Sequence, residues 1–175
     1  MATLMGIDFA ALSLKDALDL AVLIEEEAKE RYEDFAQQME LHHTPEAARF
    51  FRFMAGNEER HRAELSARRL ALFGGEPRRV TRGMLFEVEA PEFDEVRVFM
   101  SPREALRVAF RAEEKAWAFF VEAAPRVGDE GVKELFAELQ NEEVHHQRLV
   151  LAELEKTPPE SALEHADVAD DPVAQ

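Results

Sequence analysis

Asn57-Glu58-Glu59-Arg60-His61 and Asn141-Glu142-Glu143-Val144-His145 are one five-residue pattern met twice, differing only at its fourth position. Each copy carries Glu and His three residues apart. On a helix, residues three apart share a face, so each copy aims a carboxylate and an imidazole at one place. An offset of 84 residues superposes Glu58 on Glu142 and His61 on His145. The repeat decides the fold, because the sequence around each copy repeats as well.

Upstream of the first copy, apolar residues recur at helical spacing from Leu14 to Leu41: Leu18, Ala21, Val22, Ala28, Tyr32, Phe35 and Met39. Glu25 falls inside that stripe. Thr44-Pro45 reads as a restart, with Thr at the N-cap and Pro at the first helical position. The second helix then runs to about Phe73 with the stripe Phe51, Met54, Glu58, His61, Leu65 and Leu72, and Gly74-Gly75 ends it. Ser101-Pro102-Arg103-Glu104 has the form of a capping box and opens a third helix. Its stripe is Leu106, Ala109, Phe110, Glu113, Ala116, Trp117, Phe120 and Ala124. Gly128-Asp129 marks a turn. The fourth helix carries Leu135, Leu139, Glu142, His145, Leu149 and Ala152, and Thr157-Pro158-Pro159 stops it.

An offset of 88 superposes Glu25 on Glu113, so the chain reads as two duplicated helix hairpins. The expected fold is all-α: an antiparallel four-helix bundle of two hairpins joined by one long connection. The expected division is a bundle over 1–156, with helices at about 14–41, 45–73, 102–127 and 129–156, a crossover at 74–101 and an acidic tail at 157–175. Within the crossover, Val80-Thr81, Leu85-Phe86 and Val96 to Phe99 have some strand character.

Glu25, Glu58, His61, Glu113, Glu142 and His145 are polar residues set in apolar stripes. Four carboxylates gathered in a bundle core repel one another and lose hydration unless something compensates them. Two divalent cations bring a charge that balances four carboxylates with both imidazoles neutral. Oxygen and imidazole donors suit iron, and manganese and zinc as well. Two other Glu-x-x-His pairs exist in this Glu-rich chain. Glu40–His43 sits at a helix end without a duplicate, and Glu143–His146 lies one residue off the repeat register. Tyr32 lies seven after Glu25, where its hydroxyl can reach a ligand carboxylate.

Composition narrows the function. Asp and Glu number 37 against 21 Lys and Arg, a formal charge of −16. That disfavours nucleic acid as a partner, since phosphate binding needs a basic face. With no cysteine, thiolate catalysis and Cys-ligated iron–sulfur or zinc sites are excluded. No apolar run is long enough to span a membrane, and Met1 to Phe9 lacks a basic segment followed by an apolar one. The expected location is the cytoplasm.

The chain resembles the rubrerythrin branch of the ferritin-like superfamily. The residues that carry the resemblance are Glu25-x-x-Ala28-x-x-x-Tyr32, Glu58-x-x-His61, Ala105-Leu106-x-x-Ala109-x-x-x-Glu113 and Glu142-x-x-His145, over about residues 14–156. The resemblance implies two irons, with Glu58 and Glu142 bridging, Glu25 and Glu113 terminal, and His61 and His145 on one metal each. It implies oxidation of Fe(II), or reduction of hydrogen peroxide or dioxygen, in defence against oxidative stress. It also implies a homodimer and an external electron donor. A ferroxidase or iron-storage module and a non-catalytic metal-binding bundle are the alternatives. Two departures stand out. The rubredoxin domain, with its four cysteines, is missing. The extra glutamate that rubrerythrins carry three after the third-helix ligand is Ala116 here.

Overall fold

The computed structural model describes residues 8–41, 43–84 and 101–159. Four long helices make up most of it: α1 (Leu14–Leu41), α2 (Pro45–Phe73), α3 (Pro102–Ala123) and α4 (Glu130–Lys156). Short 3-10 turns occupy Phe9–Ala11, Arg82–Met84 and Ala124–Arg126. No strand occurs among the described residues, Val80-Thr81 included; Leu85-Phe86 and Val96 to Phe99 lie outside them. Among the described residues, no helix is long and apolar enough to cross a membrane. The tail beyond Pro159 also lies outside the described residues.

The helix ends follow local chemistry. At Ser101 the capping box closes: its hydroxyl accepts from Glu104 N at 3.2 Å, and the Glu104 carboxylate accepts from Ser101 N at 2.8 Å. Asp129 caps α4 by accepting from Val132 N at 3.1 Å. Gly74 ends α2 at φ +56°, a backbone angle that costs glycine little. Thr44 precedes α2, but its hydroxyl turns back to donate to Met39 O at 2.9 Å instead of capping. Helix α3 stops at Ala123, short of Val127, because Pro125 leaves no amide for a continuing α turn and a 3-10 turn takes over.

α1 pairs with α2 and α3 with α4 as hairpins. Two apolar clusters form the core. One gathers Leu18, Leu20 and Ile24 of α1 with Leu65 of α2, Phe119 and Phe120 of α3, and Leu135, Phe136 and Leu139 of α4. The other, toward the opposite end, gathers Tyr32, Phe35 and Met39 with Phe51, Met54, Leu106 and Val150. α1 and α4 therefore run one way along the bundle, and α2 and α3 the other. Trp117, expected in the core, stands out from α3 at 39% exposure.

An ion-pair cluster fixes where the chain leaves α2. Asp19, fully buried on α1, accepts from Arg69 of α2 at 2.8 Å and from Lys15 at 3.2 Å. The Arg69 guanidinium also donates to Gly74 O at 2.6 Å and Glu76 O at 2.5 Å. Beyond it, Arg79 pairs with Asp16 at 2.7 Å, and Arg82 pairs with Glu30 at 2.7 Å and Glu26 at 3.3 Å. The segment after α2 is thus laid along α1 by successive arginines, heading toward the end of the bundle where α3 starts.

Removing Arg69 takes the closest partner from the buried Asp19 carboxylate and leaves it Lys15 and Arg78. Arg69→Met should cost up to about 3 kcal/mol of unfolding free energy. Asp19→Leu combined with Arg69→Met should recover most of it, and urea denaturation of the three proteins measures both effects.

Candidate metal centre

Between the two apolar clusters lies a polar band contributed by all four helices. Glu25 of α1, Glu58 of α2 and Glu113 of α3 are 3%, 1% and 2% exposed. His61 of α2 joins them with its side chain 11% exposed. These four are where the stripes put them. Helix α4 differs. His145 is exposed, whereas Glu143 and His146 are buried at 4% and 2%. Glu142 is half-buried at the margin of the band.

The change of register on α4 has a simple cause. Its buried face is Val132, Leu135, Phe136, Leu139, Glu143, His146 and Val150. From Leu139 this face advances by four, three and four residues, close to the 3.6-residue turn. The stripe through Glu142, His145, Leu149 and Ala152 is displaced by one residue, about 100° around the helix. Leu149 is accordingly only half-buried and Ala152 exposed. The internal repeat therefore superposes at an offset of 85: His61 on His146, Glu58 on Glu143 and Asn57 on Glu142. The two histidine rings stack across the band with centroids 5.3 Å apart and planes at 11°. Glu143 and His146 are the residues that the repeated pentapeptide hid. The buried stripe continued to Val150 is the signal that reveals them.

The donor atoms converge in three overlapping groups: Glu58, His61 and His146; Glu25, His61 and Glu142; and Glu113, Glu143 and His146. Within each group they lie within 4.8 Å of one another. His146 Nδ1 is 3.3 Å from Glu58 Oε1 and 3.4 Å from Glu113 Oε2. His61 Nδ1 is 3.9 Å from both Glu25 Oε2 and Glu142 Oε2. Each histidine thus faces the stripe glutamate of its own hairpin. Glu40–His43 takes no part in any of these groups. The Tyr32 hydroxyl, fully buried, donates to Glu113 Oε1. Gln147 Nε2 donates to the Glu113 backbone carbonyl at 3.3 Å. Glu113 is held from α1 and α4 at once.

The band's electrostatics show crowded acids sharing protons. Burial pushes the Glu25 carboxyl up to about 7, helped by Glu142 and Glu113 and opposed by a hydrogen bond with Glu58 and the charge of His146. Burial also acts on Glu113, but the hydrogen bond and charge of His146 overcome it and bring that carboxyl down to about 2. His61 is lowered to about 4 by burial and by His146. His146 is raised despite burial, through its hydrogen bond to Glu113 and the surrounding carboxylates. Tyr32 is raised well above the ordinary phenol value by burial and by Glu113, so its proton stays on the hydroxyl.

The donor set fits a pair of divalent cations. Two buried imidazole nitrogens, His61 Nδ1 and His146 Nε2, have no hydrogen-bond partner; Glu25 and Glu142 approach the first, while Glu58 and Glu113 approach the other ring nitrogen of His146. A ligating nitrogen needs no hydrogen, and a buried one without a partner is costly in any other role. Five carboxylates converge instead of the four counted in the stripes, which leaves one negative charge beyond two divalent cations. That excess falls most cheaply on Glu142, whose side chain is 37% exposed.

The sequence model of the family described as Rubrerythrin matches residues 16–154. Among solved structures, a crystal structure of an uncharacterized conserved protein from Magnetospirillum magnetotacticum MS-1 superposes with a TM-score of 0.70 at 33% identity. The match covers 85% of this chain and 97% of that one. No curated protein matches.

The register shift separates two neighbouring histidines. Titration of the metal-stripped protein with Co²⁺ should show His146→Ala losing one bound ion relative to the parent. His145→Ala should bind as the parent does.

Proposed function

The chain belongs to the rubrerythrin family, and on that premise we propose that it is a di-iron oxidoreductase that reduces hydrogen peroxide or dioxygen. The observation that carries this reading is the convergence of five glutamates and two histidines in a band with an apolar cluster on either side of it along the bundle. A bound pair of Fe(II) ions supplies Lewis acidity and one electron per ion, matching the two electrons and two protons that turn H₂O₂ into two waters.

The protein's own residues hold, orient and insulate. Glu58, which groups with both histidines, would help hold both ions. Glu143, its counterpart on α4 in the 85-residue register, groups with Glu113 and His146 and would hold the ion at that end, where the resemblance alone names Glu142. Glu25 with His61, and Glu113 with His146, serve one end each. Tyr32, fixed through its hydroxyl, orients the Glu113 carboxylate and keeps a proton beside it. Leu18, Ile24 and Phe120 on one side and Phe51, Met54 and Leu106 on the other exclude water from the band.

Ala116 is fully buried, so α3 brings no further carboxylate there. Glu142 answers that departure from the neighbouring helix. It reaches the His61 and Glu25 end and restores a seventh donor. Electrons for turnover come from an external donor, as this chain has no cysteine for a rubredoxin-type iron.

A second reading, in which Fe(II) is the substrate and is oxidised for handling or storage, is favoured by an acidic pocket that opens onto the His61 end. Stopped-flow mixing of the Fe(II)-loaded protein with one equivalent of peroxide tests the first reading. Ferric absorbance should rise faster than for free Fe(II) in the same buffer, and Glu58→Ala should abolish the difference. Oxidation no faster than that of free iron would remove the peroxidase reading. Rapid oxidation under dioxygen with repeated release of Fe(III) would favour the second.

A further inference from the structure

The two ends of the band do not face the same surroundings. Glu113, Glu143 and His146 are all buried. Glu25, His61 and Glu142 end in a pocket of about 190 Å³ between α2 and α4, lined by His61, Glu64, Leu65, Arg68, Glu138 and Glu142. Arg68 pairs with Glu138 across its rim at 2.8 Å. Glu142 belongs both to the pocket wall and to the donor group around His61.

We propose that this pocket is the port through which a hydrated divalent cation reaches the band, with the Arg68–Glu138 pair as its gate. The inference rests on the metal-centre reading above. Three carboxylates against one guanidinium give the wall a net negative charge, which concentrates cations at its mouth. The pocket is roomy enough for several waters, so a cation can enter it still hydrated. Glu142 can exchange one of those waters for a carboxylate oxygen while still wet, and it then stands in the same group as His61 and Glu25. An ion on this path sheds its shell stepwise, and no step strands a bare charge among apolar side chains. The Arg68 guanidinium opposes the cation directly and also occupies Glu138, so uptake requires the pair to part. An exposed pair of this kind is weak enough to open readily.

The test is the rate of Co²⁺ uptake by the metal-stripped full chain at low ionic strength, followed by stopped-flow absorbance. The double variant Glu64→Gln with Glu138→Gln should slow uptake about tenfold, at the lower end of electrostatic acceleration, while the final number of bound ions stays at the parent's value. Arg68→Ala should speed uptake. The control Glu46→Gln with Glu130→Gln, at the start of α2 and of α4, should keep the parent's rate. An unchanged rate in the Glu64/Glu138 variant overturns the port. Loss of a bound ion there also overturns it, because those acids would then be ligands and not a path. A parent protein that takes up no Co²⁺ sinks the metal-centre reading as well, whereas uptake with an indifferent rate sinks the port alone.

Discussion

Everything in this bundle answers to the cost of burying acids. Glu25, Glu58, Glu113 and Glu143 lie in its interior, with Glu142 at the margin. Hydrocarbon packs on both sides of them. Bare carboxylates there would repel one another and lose their hydration, an expense far larger than the marginal stability of a domain. Burial pushes Glu25 toward its protonated form, and the surrounding carboxylates push His146 toward its charged one. Divalent cations would be a better solution, since each neutralises two carboxylates and can take a ring nitrogen that otherwise has no partner.

The helix pattern was legible because four long amphipathic runs, a capping box at Ser101 and a glycine at Gly74 all say the same thing locally. Glu25, Glu58, His61 and Glu113 were legible because each sits in a stripe of large apolar neighbours. Helix α4 was not, for an instructive reason. Its neighbouring His145 and His146, like Glu142 and Glu143, offer two registers, and the repeated Asn-Glu-Glu favours the one that burial rejects. Identity of letters competed with the 3.6-residue turn, and the turn prevailed because Val132, Leu139 and Val150 had to be buried. Trp117 was misplaced on similar grounds: hydrophobicity put it in the stripe, while Glu113, Ala116 and Phe120 already fill the inward face of α3. The pocket was not legible at all, since it depends on how far α2 and α4 stand apart.

The corrected register changes what the duplication means. At an offset of 85 the hairpins match in His61 and His146 and in Glu58 and Glu143, but Asn57 stands where the other copy has Glu142. Asn57 is 7% exposed, and an amide cannot match the charge of a carboxylate. The two copies therefore share a skeleton of donors while differing in one, and the difference falls on the side that meets solvent. A symmetric centre would give two equivalent positions. This one would give a closed position, walled by Glu113, Glu143 and His146, and an open one at Glu25, His61 and Glu142.

That asymmetry suits the proposed redox role better than symmetry would. A closed position surrounded by buried donors favours retention of its ion, because release requires breaking several contacts with no water at hand to replace them. An open position can admit an ion or a small oxidant, because water and the half-exposed Glu142 carboxylate supply substitutes at each step. The remaining symmetry keeps the two ends close enough to act together, with Glu58 reaching both histidines. One substituted residue between two copies, Asn57 against Glu142, is then sufficient to turn a duplicated scaffold into a centre with distinct inner and outer ends.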